Sequence, residues 1–404
     1  MRVLIVTAGS HGDVAPFTGL GRRLEQAGHQ VTIAAHDMFA GLVRGCGLQH
    51  RTLPGDPVEL ARARLAAPSP GAARTVFAAF LEQLGQGLID AVGAGTDVVL
   101  SAFGPGPLSR AVAEGFGIPS IGSYLVPAVA TAHFPLPGRP EGDLGPAGNL
   151  AAGRQLLDRS VGLYAGILPR LRARLGLPAT DPAAGQPPDG WPICHGFSPV
   201  VVPPPDDWPS YVRVTGYWWP ARPTGWQPPD KLVDFLQAGA APVFIGFGSM
   251  PVPQPERLAQ LVAAAVDRAR VRAVLQTGWA GLASRGDDIL LVDEVPHDWL
   301  FPQAAAVVHH AGAGTTGAGL RAGVPAVALP VLLDQPFWAA RLHQLGVAPA
   351  PLPQRELTAD TLAAAIRSCL DEPGYRSRAA DVAARIGTED GAAPVLALID
   401  ALGG

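Results

Sequence analysis

VVHHAGAGTTGAGLRAGVPAV, residues 307–327, reads as one complete strand, turn, helix and second strand. A β-branched run ends in His309 and His310, and small residues then repeat until a helix begins at about Thr315. Gly323 closes that helix before Val324, Pro325 and the next apolar run. The same punctuation occurs in GFGIPSIGS, residues 115–123, where a helix, a glycine, a β-branched residue and a proline again lead into a strand. Short apolar strands alternating with helices are the rhythm of parallel α/β architecture.

Working outward, two series of such units appear. The first comprises RVLIVTAG (2–9), a helix PFTGLGRRLEQAGH, QVTIAA (30–35), DVVLSA (97–102), the helix LSRAVAEGFG and IPSIGSYL (118–125). The second opens with APVFIGFGSM (241–250) and continues through AVLQTG, ILLVDEV, AAAVVHHAG and VPAVALP. Each series starts with a strand that runs into a Gly/Ser loop, VTAGS or GFGSM, so two Rossmann-like halves are expected. The Pro- and Trp-rich stretch 201–231 holds the linker, in its second part. We expect an N-terminal domain over 1–219, a C-terminal domain over 220–388, and a tail, 389–404, that forms an amphipathic helix broken early by Pro394. Residues 133–190, with LPGRPEGDLGPAGN, are the least regular part of the first half.

Length and composition agree with two domains. A chain of 404 residues exceeds one core at about 150 residues per domain. With 48% hydrophobic and 16% charged residues and a net charge of −4, it is neither disordered nor a basic nucleic-acid-binding module, and no nucleic-acid partner is expected. Cys46, Cys194 and Cys369 are odd in number, far apart and form no CxxC pair, as in a reducing cytoplasm. No window approaches the roughly 18 apolar residues of a membrane span.

The chemistry concentrates in the opening stretch. Small side chains admit a ligand close to the backbone, and amide groups at a helix start, with the positive end of its dipole, favour phosphate oxygens. Thr315 and Thr316 can add hydroxyls, and His309 or His310 an imidazole N–H. A close helix–strand crossing calls for the same glycines, but not for two histidines and two threonines. A P-loop is excluded by the absence of GxxxxGK[ST]. GSHGDV, residues 9–14, lacks the GxGxxG spacing of a dinucleotide fold, and Asp37 is only loosely placed for a ribose contact.

VPHDWLFPQAAAVVHHAGAGTTGAGLRAGVPAVALPVLLDQPFWAARLHQLGVAP (295–349), together with PVFIGFGSM, VTGYWW and the N-terminal GSHGDVAP, resembles the GT-B glycosyltransferases of family 1. The likeness is strongest to the branch of sterol glucosyltransferases and of enzymes that glycosylate antibiotic aglycones. It implies an α/β GT-B fold, two Rossmann-like domains facing across a cleft, and a tail helix that returns to the first domain. It further implies transfer of a sugar from a nucleoside diphosphate, dTDP- or UDP-linked, to a lipophilic small-molecule acceptor with inversion.

On that resemblance, His310 with Gly312, Gly314 and Thr315 holds the diphosphate, His309 lies beside them, and Ser249 adds a hydroxyl from the opposite side. Asp334 and Gln335 bond the sugar hydroxyls. Residues near Val295 grip the base through their backbone, since the Trp of the plant enzymes is lacking. Asp13 follows the glycine of the first loop, Gly12, and takes the place of the general base; His11, two residues earlier, is the alternative, and Ser10 lines the same pocket. On sequence pattern without the resemblance, Asp13 instead reads as the cap of a helix starting near Pro16. Where the family pairs a His base with a buried Asp, LSAFGPG offers only Ser101, Ala102 and Phe103. No acidic pair with DxD spacing lies near these loops, so no metal cofactor is expected. Phe77, Phe80, Tyr124, Phe134 and Tyr164, in loops near 60–80 and 123–165, are candidates for the acceptor pocket. A nucleotide-sugar epimerase and a catalytically idle homologue that assists a partner remain as alternatives.

Overall fold

The computed structural model describes residues 1–139, 142–178, 187–248, 254–278 and 288–403. Two all-parallel sheets organise it. The first contains β1 (Arg2–Val6), β2 (Gln30–His36), β3 (Gln49–Leu53), β4 (Val98–Ser101), β5 (Ser120–Tyr124), β6 (Ile193–His195) and β7 (Val212–Val214), in the order β3-β2-β1-β4-β5-β6-β7. The second contains β8 (Val243–Gly246), β9 (Ala273–Gln276), β10 (Ile289–Val292), β11 (Ala306–His309) and β12 (Ala326–Ala328), in the order β10-β9-β8-β11-β12. Both are doubly wound sheets.

The strand centres explain themselves. Ile5 lies opposite Ile33 and Leu100, and Ile245 opposite Leu275 and Val308, all of them buried. With helices on both faces, a central strand has no wet side, which is why these runs are continuously apolar rather than alternating. The three strands the sequence did not announce are those without this signature: QHRTL of β3 is mostly polar, and β6 and β7 have three residues each.

In each sheet the order reverses between two adjacent central strands, β1/β4 in the first and β8/β11 in the second. The loops leaving those strands diverge to opposite faces and open a crevice at their carboxyl ends, where ligands of open α/β sheets bind. The helices that follow β1 and β11, His11–Gln26 and Ala313–Arg321, pack against each other, bringing the two crevices together. An aromatic cluster shared by the two halves, including Phe134, Phe197, Trp208 and Trp338, joins them.

Several expectations are corrected. The segment 133–190 contains the helices Gly145–Gly162 and Leu168–Arg174, and the supposed loops near 60–80 are the helices Pro57–Ala66 and Pro70–Gly93. Prolines in their first turns misled the reading, because an N-terminal proline starts a helix as readily as an internal one ends it. The same applies to Pro394, which opens the helix Ala393–Gly403 rather than breaking it. Val395 and Ile399 of that helix are fully buried among β1 and β2 residues of the first sheet. The chain returns to this sheet through Gly391, whose carbonyl accepts the indole N–H of Trp218 at 2.9 Å. Replacing Ile399 with Ala should cost about 2–5 kcal/mol of stability, measured by denaturant unfolding.

Candidate functional site

The first crevice is built on the turn after β1. Gly9 has φ +152°, and a Cβ there would lie 2.3 Å from the Asp13 Oδ2, so glycine is required on both counts. Ser10 is the N-cap of the helix His11–Gln26, which begins five residues before Pro16; Asp13 is therefore in its first turn rather than at its cap. The Asp13 Oδ2 reaches back to accept both the Ser10 amide, at 2.6 Å, and the Ser10 hydroxyl, at 2.9 Å. The Thr7 hydroxyl fixes the Asp13 carbonyl at 2.7 Å. Asp13 thus does serve the helix terminus, while burial of its carboxyl raises its pKa against the lowering effect of the Ser10 bonds. A carboxyl raised in this way is a stronger base than one in water.

Gly12 differs from Gly9. It is exposed, and an added Cβ would meet only the Ser10 hydroxyl at 3.7 Å. Gly12→Ala should leave turnover within about threefold, whereas Gly9→Ala should displace Asp13 and reduce it by the roughly 10²-fold that misplaced catalytic groups cost; initial rates of the two variants check the contrast.

His11 is half-exposed and faces the other half of the chain, its Nε2 4.0 Å from the Glu294 Oε2. This carboxylate, on the loop after β10, is an acidic neighbour far in sequence from residue 101. Ser101 turns inward, its hydroxyl donating to the Ala102 carbonyl.

The second crevice is built on the turn after β11. Side chains alternate along a strand, and the two histidines separate accordingly. His309 is fully buried; its Nδ1 accepts the Ala311 amide at 3.1 Å and holds a turn in which Ala311 has φ 61°. It serves the fold of the loop and not its surface, which corrects its assignment to the donor. Burial, with the nearby His310 and His297, lowers its pKa to about 3. His310 is held between glycines of two loops: a Cβ at Gly248 would lie 2.7 Å from its Cε1, and one at Gly312 2.5 Å from its Nε2. Burial lowers its pKa to about 4, so the ring is neutral at pH 7 and has an N–H to donate rather than a positive charge. Its Nδ1 is a buried atom with no hydrogen-bond partner.

The helix begins at Ala313, two residues before the expected Thr315, with Gly312 as N-cap. Its first amides have no intrahelical acceptor. Gly314, in the first turn, is exposed with open space at its Cβ, and Thr315 is partly exposed, whereas Thr316 is buried. Anionic oxygen is favoured at such a terminus. Val295 buries its side chain in the core beneath the loop after β10, and Ser249 lies outside the described residues. His297, quoted in the sequence motif but given no role, is stacked on Phe301 at 4.3 Å, and burial lowers its pKa to about 4.

Asp334 and Gln335 enter from the loop after β12. The Asp334 Oδ2 accepts the indole N–H of Trp338 at 2.8 Å, and the Ala313 amide also lies against the carboxyl. Burial first, with a contribution from the charge on Asp13, raises the Asp334 pKa to about 6. The charge of a carboxyl in the first crevice is therefore felt by one in the second. The Gln335 Oε1 accepts the amides of Val331, at 2.8 Å, and Leu332, at 3.1 Å, so its carbonyl end braces the loop, in which Leu333 has φ 57°.

The aromatic candidates divide. Phe77 and Phe80 are only partly buried and stack at 6.4 Å, with Phe80 also against His36. Tyr124, Phe134 and Tyr164 are core residues, which corrects their assignment to a pocket. The Tyr164 hydroxyl donates to the Gly104 carbonyl, and Phe134 packs on Trp208 and Phe337. Aromatic residues are more often needed for the core, and sequence alone does not separate the two uses. Among the described residues no helix is long and apolar enough to cross a membrane.

The family models place this geometry. Residues 3–135 match the glycosyltransferase family 28 N-terminal domain, and 257–399 match the erythromycin biosynthesis protein CIII-like C-terminal domain. The chain is 35% identical to the O-mycaminosyltylonolide 6-deoxyallosyltransferase of Streptomyces fradiae over 99% of this chain and 97% of that protein. It is 34% identical to a sterol 3-beta-glucosyltransferase of Arabidopsis thaliana over 97% of this chain, but spans only 64% of that enzyme's length. Of the Emericella nidulans sterol 3-beta-glucosyltransferase it spans 30%. Among solved structures, the spinosyn forosaminyltransferase SpnP superposes with a TM-score of 0.73 at 18% identity, over 100% of both chains. The glycosyltransferase VinC, in complex with dTDP, does so with 0.71 at 21%, over 100% of this chain and 99% of the other. Two doubly wound sheets with facing crevices, and relatives matched end to end, lead to one conclusion: the chain belongs to the GT-B glycosyltransferases of family 1, in the branch of the sterol and antibiotic glycosyltransferases.

Proposed function

We propose that this glycosyltransferase moves a sugar from a dTDP- or UDP-linked donor to a hydroxyl of a lipophilic small molecule, polyketide or sterol-like, by a single displacement. The observation that carries the reading is the packing of the helix His11–Gln26, with Asp13 in its first turn, against the helix Ala313–Arg321, whose first amide meets Asp334. An acceptor hydroxyl has a pKa far above 7 and attacks only as its proton leaves. Asp13 takes that proton; its Oδ2 is engaged by Ser10, which leaves Oδ1 to act. The hydroxyl oxygen bonds to C1 of the sugar from one face while the C1–O bond to the diphosphate breaks on the other, its electron pair leaving with the phosphate. Configuration at C1 inverts.

Negative charge grows on the leaving diphosphate, where the first amides of the helix Ala313–Arg321 and the neutral His310 ring supply donors. In this reading no metal is needed for that charge. Asp334 receives sugar hydroxyls, and Gln335 holds the loop that presents it. The names of the relatives, which specify a sterol and O-mycaminosyltylonolide, support a lipophilic acceptor; they lend no support to an epimerase or an idle homologue. Three free, buried cysteines fit a reducing compartment such as the cytoplasm. Incubation with radiolabelled UDP- and dTDP-sugars and a panel of sterols and macrolide aglycones tests the proposal. An acceptor-dependent glycoside of inverted configuration is expected; sugar isomerisation without acceptor, or binding of donor with no turnover, overturns it.

A further inference from the structure

Trp338 is among the largest fully buried side chains of the protein, lying in the aromatic cluster shared by the two halves. Bulk alone would explain it there. Its orientation adds something that bulk does not require. The indole N–H, the one polar atom of the side chain, points at the Asp334 Oδ2, 2.8 Å away and one helical turn earlier in Gln335–Gln344 and its cap. A residue at i and one at i+4 share a helix face, so this spacing alone aims the donor at the carboxylate. The ring cannot readily turn away. Phe197, from the first half, meets it edge-on at 5.8 Å, and the neighbouring Phe337 does so at 5.1 Å.

The geometry points to Trp338 as a positioning residue of the donor site: its N–H fixes one oxygen of Asp334 so that the other presents to the sugar, while Phe197 ties that arrangement to the packing between the halves. An unanchored carboxylate rotates about χ2, and each sugar hydrogen bond it makes must then overcome that freedom. With Oδ2 committed to the indole, and the Ala313 amide also against the carboxyl, the group keeps a fixed direction. The inference rests on the proposed contact between Asp334 and the donor sugar, and the experiment below separates the two.

Binding is measured by calorimetry on the full chain with UDP, UDP-glucose, dTDP and dTDP-glucose. The sugar increment is the ratio of the Kd of a nucleotide to that of its sugar conjugate. Trp338→Phe should lower that increment about fivefold, the scale of one ordinary hydrogen bond, and leave the Kd of the free nucleotides within about twofold. Asp334→Ala should lower it at least as much, and Trp338→Phe should then add nothing in the Asp334→Ala background. Incorporation of benzothienylalanine at 338, which keeps the bicyclic ring and removes only the N–H, should reproduce the loss with an unchanged melting temperature, which covers the case in which the Phe variant folds poorly.

If Trp338→Phe weakens nucleotide and conjugate alike, or costs as much in the Asp334→Ala background, the residue acts through packing and the inference is overturned while the donor reading stands. If Asp334→Ala leaves the increment intact, or if glucose adds no affinity to the wild-type protein, the reading of Asp334 fails and takes this inference with it.

Discussion

Asp13→Asn will abolish most turnover and stabilise the fold at the same time. The loss in kcat should be about 10²–10⁴-fold, the usual contribution of a general base, with donor Kd nearly unchanged because Asp13 sits in the first crevice. The gain in stability follows from linkage. Burial raises the folded-state pKa of Asp13 above its ordinary carboxylate value. Between the unfolded and the raised folded pKa the native state binds more protons, so stability falls as pH rises through that window and stays reduced at pH 7. Asn is neutral, and its amide oxygen can still accept the two Ser10 hydrogen bonds. The variant should therefore melt higher than the wild type at pH 7 and lose that advantage when both are melted below pH 4. A base that costs stability is the trade expected of a functional residue, whereas a simple helix cap would show the reverse. If turnover survives in Asp13→Asn, His11 beside Glu294 carries the proton.

Gly312→Ala should be the second most damaging change, and Gly314→Ala two residues away nearly silent. Gly312 has φ −66°, a conformation open to any residue, so backbone strain does not enter. The effect is purely steric: the new Cβ would lie 2.5 Å from the His310 Nε2, and Gly248 already crowds the neighbouring Cε1. The imidazole must move off the proposed diphosphate site, with a loss of about 10²–10³-fold in kcat, the scale seen when one donor to a developing oxyanion is removed. At Gly314 a Cβ meets nothing within 4 Å. Alanine there also favours the helix, so Gly314→Ala should keep its activity within a few-fold. Single-turnover rates at saturating donor decide between the two.

How legible these features were in the sequence depends on range. Strands buried on both faces announced themselves as apolar runs closed by glycine, and from β1, β2, β4, β5 and the five strands of the second sheet the doubly wound plan followed. The loops after β1 and β11 could be selected because glycine, histidine and threonine crowd where a helix begins. Short, polar or proline-led elements escaped, among them β3 and the helix Gly145–Gly162, since their stability comes from packing and not from local pattern.

By itself, then, the sequence determined the architecture and the chemical inventory: two Rossmann-like halves, a base candidate in one first loop and amides with an imidazole in the other. Only the tertiary structure decided which groups meet. It turned His309 inward and His310 outward, set Glu294 against His11, placed Tyr124, Phe134 and Tyr164 in the core, and packed the helix of Asp13 against the helix whose first amide meets Asp334. The reason is physical. Strand and helix periodicity are local and are written in neighbouring residues, while burial, pKa and contact between residues hundreds of positions apart exist only once the two sheets have packed.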